Sequence, residues 1–478
     1  MAPSSVKNEM EAKLKRLECP FTWRINESDV KGLCNIPEKL LDRVKFGPRR
    51  YHATYLNILG FVSHLQGDNE RALEFLLKGQ NVLTEDKKAD TEFLVNFGTL
   101  AWVYHHSGNL KDAVTYLSKV EEICKGVPGS SQYSCGLPVI AGEKGWTLLK
   151  LGASFYDQAK ESFQKALQGD PDSVSYNTGY AVVLYRIEGM DRDTRMKPES
   201  SEAVFQLRRS LLLEPDDSEI KVLLALKLQS SSKQESKRLI KDALRLSPDV
   251  PQVTRYVAKY LRAEGSTEES LEILRKAVKL APNSSFLYHQ IGLCHRQQLI
   301  QMLQTDRATK CIPMARKRDK TEECIYYFRK AAELKPSNIH AQVSLAEAYA
   351  ENRQLLEAEK IFTDLLKDDS LWEPDKQHCH TRYGVFLLYK RKAEDQAVAQ
   401  FRIAYQMQIK SSDRMQAAKK LRQIAERWTH GRRKVSEASE ILAFLSAMDR
   451  QKMQASHYVK KSSDFSSESD DLTAAFAE

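Results

Sequence analysis

From residue 51 onward the chain repeats one pattern, an amphipathic stretch that runs into a proline. Leu271-Glu272-Ile273-Leu274-Arg275-Lys276-Ala277-Val278-Lys279-Leu280-Ala281-Pro282 shows its form. Apolar residues return at helical spacing and charged residues take the opposite face. Pro215, Pro248 and Pro282 close three such stretches, 33 and 34 residues apart. A period near 34 that carries a small residue, an alanine and a proline in order predicts two amphipathic helices per repeat, the tetratricopeptide pattern. One helix pair cannot bury its own apolar face. Neighbouring pairs must therefore stack into an all-α superhelix with a continuous core and a concave inner groove.

The same marks divide the chain. Residues 1–50 form an N-terminal segment outside the repeats, helical in parts, and about nine repeats fill 51–435. A degenerate helix pair is expected over 436–460, then an acidic, Ser-rich tail over 461–478 that is expected to be disordered. Gly60, Gly67 and Ala72 mark the first repeat, and Ala101, Tyr104, Gly108 and Ala113 the second. Two repeats carry insertions. The fourth, closing at Pro215, has extra residues near 192–201, and the seventh, closing at Pro336, has a surplus near 305–320. That surplus holds Arg307, Lys310, Arg316, Lys317, Arg318 and Lys320 and is expected to be a basic loop.

Composition narrows the class. Gly and Pro are sparse, 20 and 15 in 478 residues, which suits helices and argues against an all-β fold. The net charge of +9, from 73 Lys+Arg against 64 Asp+Glu, permits a polyanionic ligand without requiring one. The eight cysteines are scattered with no CxxC pair, as expected of reduced thiols. No apolar leader or membrane-length stretch stands out, so a soluble cytoplasmic protein is expected, with no membrane partner. Phosphate-loop, dinucleotide, HExxH and GxSxG signatures are missing, so no enzyme is expected. His378-Cys379-His380 invites a metal reading, but neighbours on a helix point about 100° apart and do not converge on one ion. A magnesium ion accompanying bound phosphates is the one cofactor left open.

The first helix of each repeat lines the groove, through roughly positions 2, 5, 6, 9, 12 and 13 of the template. After Pro248 these positions hold Arg255, Tyr256, Lys259 and Arg262, and the next repeat contributes His289, Gln290 and Arg296. Arg186 stands beside Tyr185, and the ninth repeat offers Arg382, Tyr383 and Lys390. Cations interleaved with aromatics fit a single nucleic-acid strand, whose phosphates need Lys and Arg and whose bases need flat partners. An acidic peptide is the competing ligand, and spacing alone does not separate the two. One peptide-binding device is missing. The carboxylate clamp of co-chaperones wants Lys and Asn where this chain has Asn57 and Phe61, and Asn where it has Thr99.

Several stretches resemble the interferon-induced proteins with tetratricopeptide repeats, an antiviral family. Leu17-Glu18-Cys19-Pro20-Phe21-Thr22-Trp23 is similar to its LECHFTW opening. Glu143-Lys144-Gly145-Trp146-Thr147-Leu148-Leu149-Lys150 is similar to EKGWALLK. Gly179-Tyr180-Ala181, the run Ile220 to Gln229 and His289-Gln290-Ile291-Gly292-Leu293-Cys294 extend the likeness along most of the chain. The resemblance implies a cytosolic protein that sequesters single-stranded RNA by a 5′ triphosphate or cap held in a basic tunnel. Related family members or translation factors would be its protein partners. By matching position, Lys150 and Arg186 would touch phosphates, and Trp146 and Tyr156 would wall the first nucleotide or cap. Arg255, Tyr256, Arg262, His289 and Gln290 would lie further along the strand. Lys39 and Arg43 sit near the terminal phosphates, where Arg43 replaces a usual Gln and is expected to favour an anionic end. Gln252 stands where some members have a stacking Tyr. A protein-interaction scaffold for antiviral signalling or translation factors is the alternative function.

Overall fold

The computed structural model describes the chain except residues 1–2, 26–29, 31–35, 191–197, 310, 370, 410, 433 and 451–478. Two helices come first, α1 (Pro3–Leu14) and α2 (Ile36–Phe46). Nine hairpins follow among the described residues. They are α3 (His52–Leu65) with α4 (Asn69–Glu85), α5 (Leu94–His106) with α6 (Leu110–Lys125), and α7 (Pro138–Leu151) with α8 (Tyr156–Gly169). Next come α9 (Val174–Met190) with α10 (Glu202–Leu213), α11 (Ser218–Leu228) with α12 (Lys233–Leu246), and α13 (Pro251–Ala263) with α14 (Thr267–Leu280). The last are α15 (Ser285–Thr309) with α16 (Met314–Leu334), α17 (Ile339–Glu351) with α18 (Leu355–Lys367), and α19 (Glu373–Phe386) with α20 (Glu394–Gln406). Helix α21 (Ser412–His430) and a helix over 435–450 complete the described chain, which contains no strand. The chain divides into two compact units, residues 1–341 and 342–478.

Local chemistry starts these helices where the pattern predicts. Asp68, Asn109, Ser201 and Asp217 each accept a hydrogen bond from a backbone N–H in the first turn of the helix that follows. Pro138 and Pro251 occupy first turns, where a missing N–H costs nothing. Between hairpins, a large ring fills the space that small residues leave. Phe163 is fully buried, and a Cβ at Gly145 or Gly179 would come within 2.9 Å or 2.3 Å of its ring. Both glycines belong to family-like motifs, and close approach of three helices explains them. Phe163→Ala would open a cavity worth about 3–5 kcal/mol.

In the first unit the N-terminal helix α2 ties together hairpins far apart in sequence. Ile36 and Leu40 enter the same apolar cluster as Tyr51, Tyr55, Trp146 and Tyr256. Glu38 of α2 pairs with Lys335 at 2.6 Å, across 297 positions. Arg43 pairs with Glu219 on α11, and Arg50, just beyond α2, reaches Glu214 at 2.8 Å. A stack of hairpins brings such residues together only by winding round, so α2 lies against the concave side of the first unit.

One expectation is corrected. Residues 305–320 are not a basic loop, because α15 and α16 both lengthen to absorb the surplus, to 25 and 21 residues. Pro313 precedes the first turn of α16, and no Gly or Pro interrupts the run from Met314 to Leu334. Asp306 accepts from the Ile312 N–H at 3.0 Å and pairs with Lys317, pinning the turn. High charge density suited an exposed helical extension as well as it suited a loop. The other insertion and the C-terminal tail fall largely or wholly outside the described residues. Among the described residues no helix is long and apolar enough to cross a membrane, and no group of His, Cys, Asp and Glu could hold a metal ion. His378 faces Asp413 at 3.2 Å, His380 faces Gln400 at 2.7 Å and Cys379 is buried, so the three diverge.

Candidate nucleic-acid interface

Four hairpins and α2 bring a cluster of charge to one place in the first unit. From α9, Arg186 donates to the Tyr256 hydroxyl at 2.7 Å, and from α13, Arg255 donates to the same oxygen at 2.9 Å. The Arg255 guanidinium lies between two rings, 4.5 Å from Tyr256 and 4.7 Å from Phe286. Its buried Nε has no hydrogen-bond partner. Lys150, in the last turn of α7, sets its ammonium 4.7 Å from the Trp146 ring and 5.2 Å from the Tyr55 ring. It has no ion pair among the described residues. Arg43 crosses from α2 and grips Glu219 with two hydrogen bonds, 2.9 and 2.7 Å.

The electrostatics report strong crowding by cations. Burial, then repulsion from Arg43, Arg186 and Arg255, holds the Lys150 ammonium well below its ordinary pKa. Lys39 is exposed, yet desolvation of its ammonium, with Lys335, Arg255 and Arg186 facing it, lowers it as well. Burial should raise the Tyr256 phenol, but Arg255 and Arg186 bring it down to about 8. Glu219 is a carboxylate set among these cations. Burial works against its charge, and Arg43, Lys150 and Arg255 nevertheless hold it at about 2. Positive charge gathered in a desolvated place is favourable only when an anion can join it.

The other expected residues fall around this cluster. Tyr156 is half-buried at the start of α8; burial raises its phenol, and Arg186 partly opposes that. Arg262 donates to Gln290 at 2.9 Å, joining α13 to α15, and His289 beside it tilts against Phe328. Lys259 is exposed on α13. Trp146 is only 3% exposed, its indole N–H donates to Ser175 at 3.0 Å, and its ring packs on Tyr51 and Phe163. It is thus a core residue that presents one surface to Lys150. Gln252 is buried, with an unpaired carbonyl oxygen. Arg43 is paired with Glu219. Glu219, Tyr55 and Phe286 were missed from sequence. Glu219 stands one residue into its repeat, as Gln252 does in the next, at a template position that lines the groove. A search for cations passes over it.

Known proteins resemble this chain over nearly their whole length. The chain is 34% identical to human antiviral innate immune response effector IFIT1 over 469 residues, 96% of this chain and 97% of the relative. It belongs to the interferon-induced proteins with tetratricopeptide repeats. Human interferon-induced protein with tetratricopeptide repeats 2 is 32% identical and is matched over 94% of both chains. No family model matches the chain. Among solved structures, a human IFIT1 dimer with m7Gppp-AAAA superposes with a TM-score of 0.78 at 32% identity, covering 95% of this chain and 99% of that one. A human IFIT1 dimer with PPP-AAAA gives 0.74 over the same shares. The all-α repeat fold read from the period is therefore the fold of this family.

Proposed function

We propose that this family member is an innate-immune antiviral effector that binds single-stranded RNA by its 5′ end, a triphosphate or a cap, and keeps it from translation or replication. The observation that carries this reading is the convergence of Arg186, Arg255, Tyr256 and Lys150 from three hairpins onto one half-buried cluster in which cations outnumber the carboxylate Glu219. Phosphates supply the balancing negative charge, and the rings of Tyr256, Phe286 and Tyr156 offer faces for a base or ribose. The protein acts by binding, not by turnover, in the cytoplasm. Backbone charge and stacking make recognition largely independent of sequence. Lys39, Arg43 and Lys150 would meet the terminal phosphates, and Lys259, Arg262, His289 and Gln290 the strand beyond. A magnesium ion could travel with those phosphates. The human relatives solved with PPP-AAAA and m7Gppp-AAAA support both kinds of 5′ end, and their description as dimers supports a second family chain as a partner.

The test is direct. One short RNA bearing a 5′ hydroxyl, monophosphate, triphosphate or cap is titrated against the full chain at moderate salt. Strong discrimination by the 5′ group is expected. Equal, weak binding to all four overturns the reading.

A further inference from the structure

We propose that Glu219 sets which 5′ end this chain accepts: it ranks RNA ends by the charge on their terminal phosphate and penalises a bare triphosphate relative to an esterified one. This rests on the reading that the cluster receives the 5′ end.

The argument begins with what a carboxylate does there. Glu219 lies among Arg43, Lys150 and Arg255, the groups that would otherwise be left for phosphate. Its two oxygens take both prongs of the Arg43 guanidinium, 2.9 and 2.7 Å away, as two oxygens of a phosphate would. Glu219 is thus a resident anion in an anion site. It does not leave when ligand enters, because it is carried on α11, whose first turn is fixed by the Asp217 cap. Any phosphate approaching Lys150 and Arg255 therefore feels one fixed negative charge as well as the cations.

That fixed charge acts unequally on different ends. A free terminal phosphate carries nearly two negative charges at neutral pH, because its second ionisation lies near 6. A phosphate esterified on both sides carries one. Capping thus removes almost one charge from the group that goes deepest, whatever base the cap carries. At the short distances and reduced screening of a buried site, one unit of charge against another changes affinity by about tenfold or more. Glu219 opposes that extra charge while Lys150, Arg186 and Arg255 attract it, so the share of Glu219 is the change in the gap between the two ends when its charge is removed. Arg43 does not cancel the effect, since its guanidinium is occupied by the carboxylate and offers phosphate fewer free donors.

The experiment separates charge from cap. The unmodified full chain is titrated with one short RNA carrying a 5′ hydroxyl, a 5′ triphosphate, a Gppp cap, or a triphosphate whose terminal phosphate bears only a methyl ester. The methyl ester has the charge of the capped form and no base. It is expected to bind like Gppp-RNA. Glu219→Gln is expected to raise affinity for the bare triphosphate about tenfold, moving the methyl ester less than about threefold, while Glu219→Asp keeps the wild-type order. If Glu219→Gln moves the bare triphosphate and the methyl ester equally while both far exceed the hydroxyl, Glu219 is not the selector and the 5′-end reading stands. If all four bind like the hydroxyl, both fall. Glu219→Ala, read with the same four ligands, decides the matter if Glu219→Gln fails to fold.

Discussion

The two units carry the same kinds of residue on the first helices of their repeats and use them differently. Arg382, Tyr383 and Lys390 in the ninth repeat look, in sequence, like Arg255 and Tyr256 in the sixth. In the second unit each of them meets a carboxylate. Arg382 pairs with Glu347, Lys390 with Glu351 at 2.7 Å, and the Tyr383 hydroxyl donates to Glu359 at 3.3 Å. Arg391 reaches Glu359 at 3.1 Å and Arg427 reaches Glu394 at 2.8 Å. In the first unit, Arg186 and Arg255 share a tyrosine oxygen, Lys150 sits on two rings, and Glu219 lies among several cations. A cation on a groove-facing helix is therefore a rung between hairpins or part of a binding site according to what the neighbouring repeat places opposite it.

The sharpest way to break that contrast is charge reversal. Arg186→Glu or Arg255→Glu is expected to weaken binding of 5′-phosphorylated RNA by more than about 100-fold, while Arg382→Glu changes it less than about threefold. Fluorescence anisotropy on folded variants reads this, and tight binding by Arg186→Glu would remove the distinction. A second difference concerns carboxyls. Glu143, on the wall of the first unit, is buried with hydrogen bonds from Thr54 and Asn57, and burial wins, raising it from 4.5 to about 7. Its folded form holds a proton that the unfolded chain releases, so its stabilising contribution is full below pH 4.5 and gone above about pH 7. Denaturant melts at pH 5 and 8 should show Glu143→Gln losing a pH dependence on the order of 2 kcal/mol. An unchanged slope would mean that Glu143 is ionised in the fold.

Lys150→Met is expected to cost about tenfold in RNA affinity and to reduce the salt slope by about one. An unaltered slope would place Lys150 outside phosphate contact. The smallest effect belongs to the second unit, where Glu347→Ala should lower stability by about 1 kcal/mol and leave RNA affinity alone. A loss of binding there would show that the rungs also serve the ligand.

Much of the fold was legible because it is periodic. The prolines near every 34th residue, the capping residues and the small residues opposite Phe163 are local signals, and each appears where the structure uses it. The groove-facing set Arg186, Arg255, Tyr256, Arg262, His289 and Gln290 followed from repeat position alone. Lys150, Trp146 and Tyr156 were reached only through family resemblance, since Trp146 and Tyr156 occupy ordinary core and helix-start places. One reading failed because the segment was judged by itself: the charge at 305–320 suited a loop, but α15 and α16 lengthen into it.

The sequence by itself determined that the chain is an array of helix hairpins and which helix of each pair faces inward. Those properties depend on spacings of 3 to 34 residues, well within one repeat. Which charges remain free was decided only by the tertiary structure. Pairings such as Arg43 with Glu219, across 176 positions, depend on the winding of the stack. Winding is the sum of small rotations between neighbouring repeats, and no single repeat encodes it.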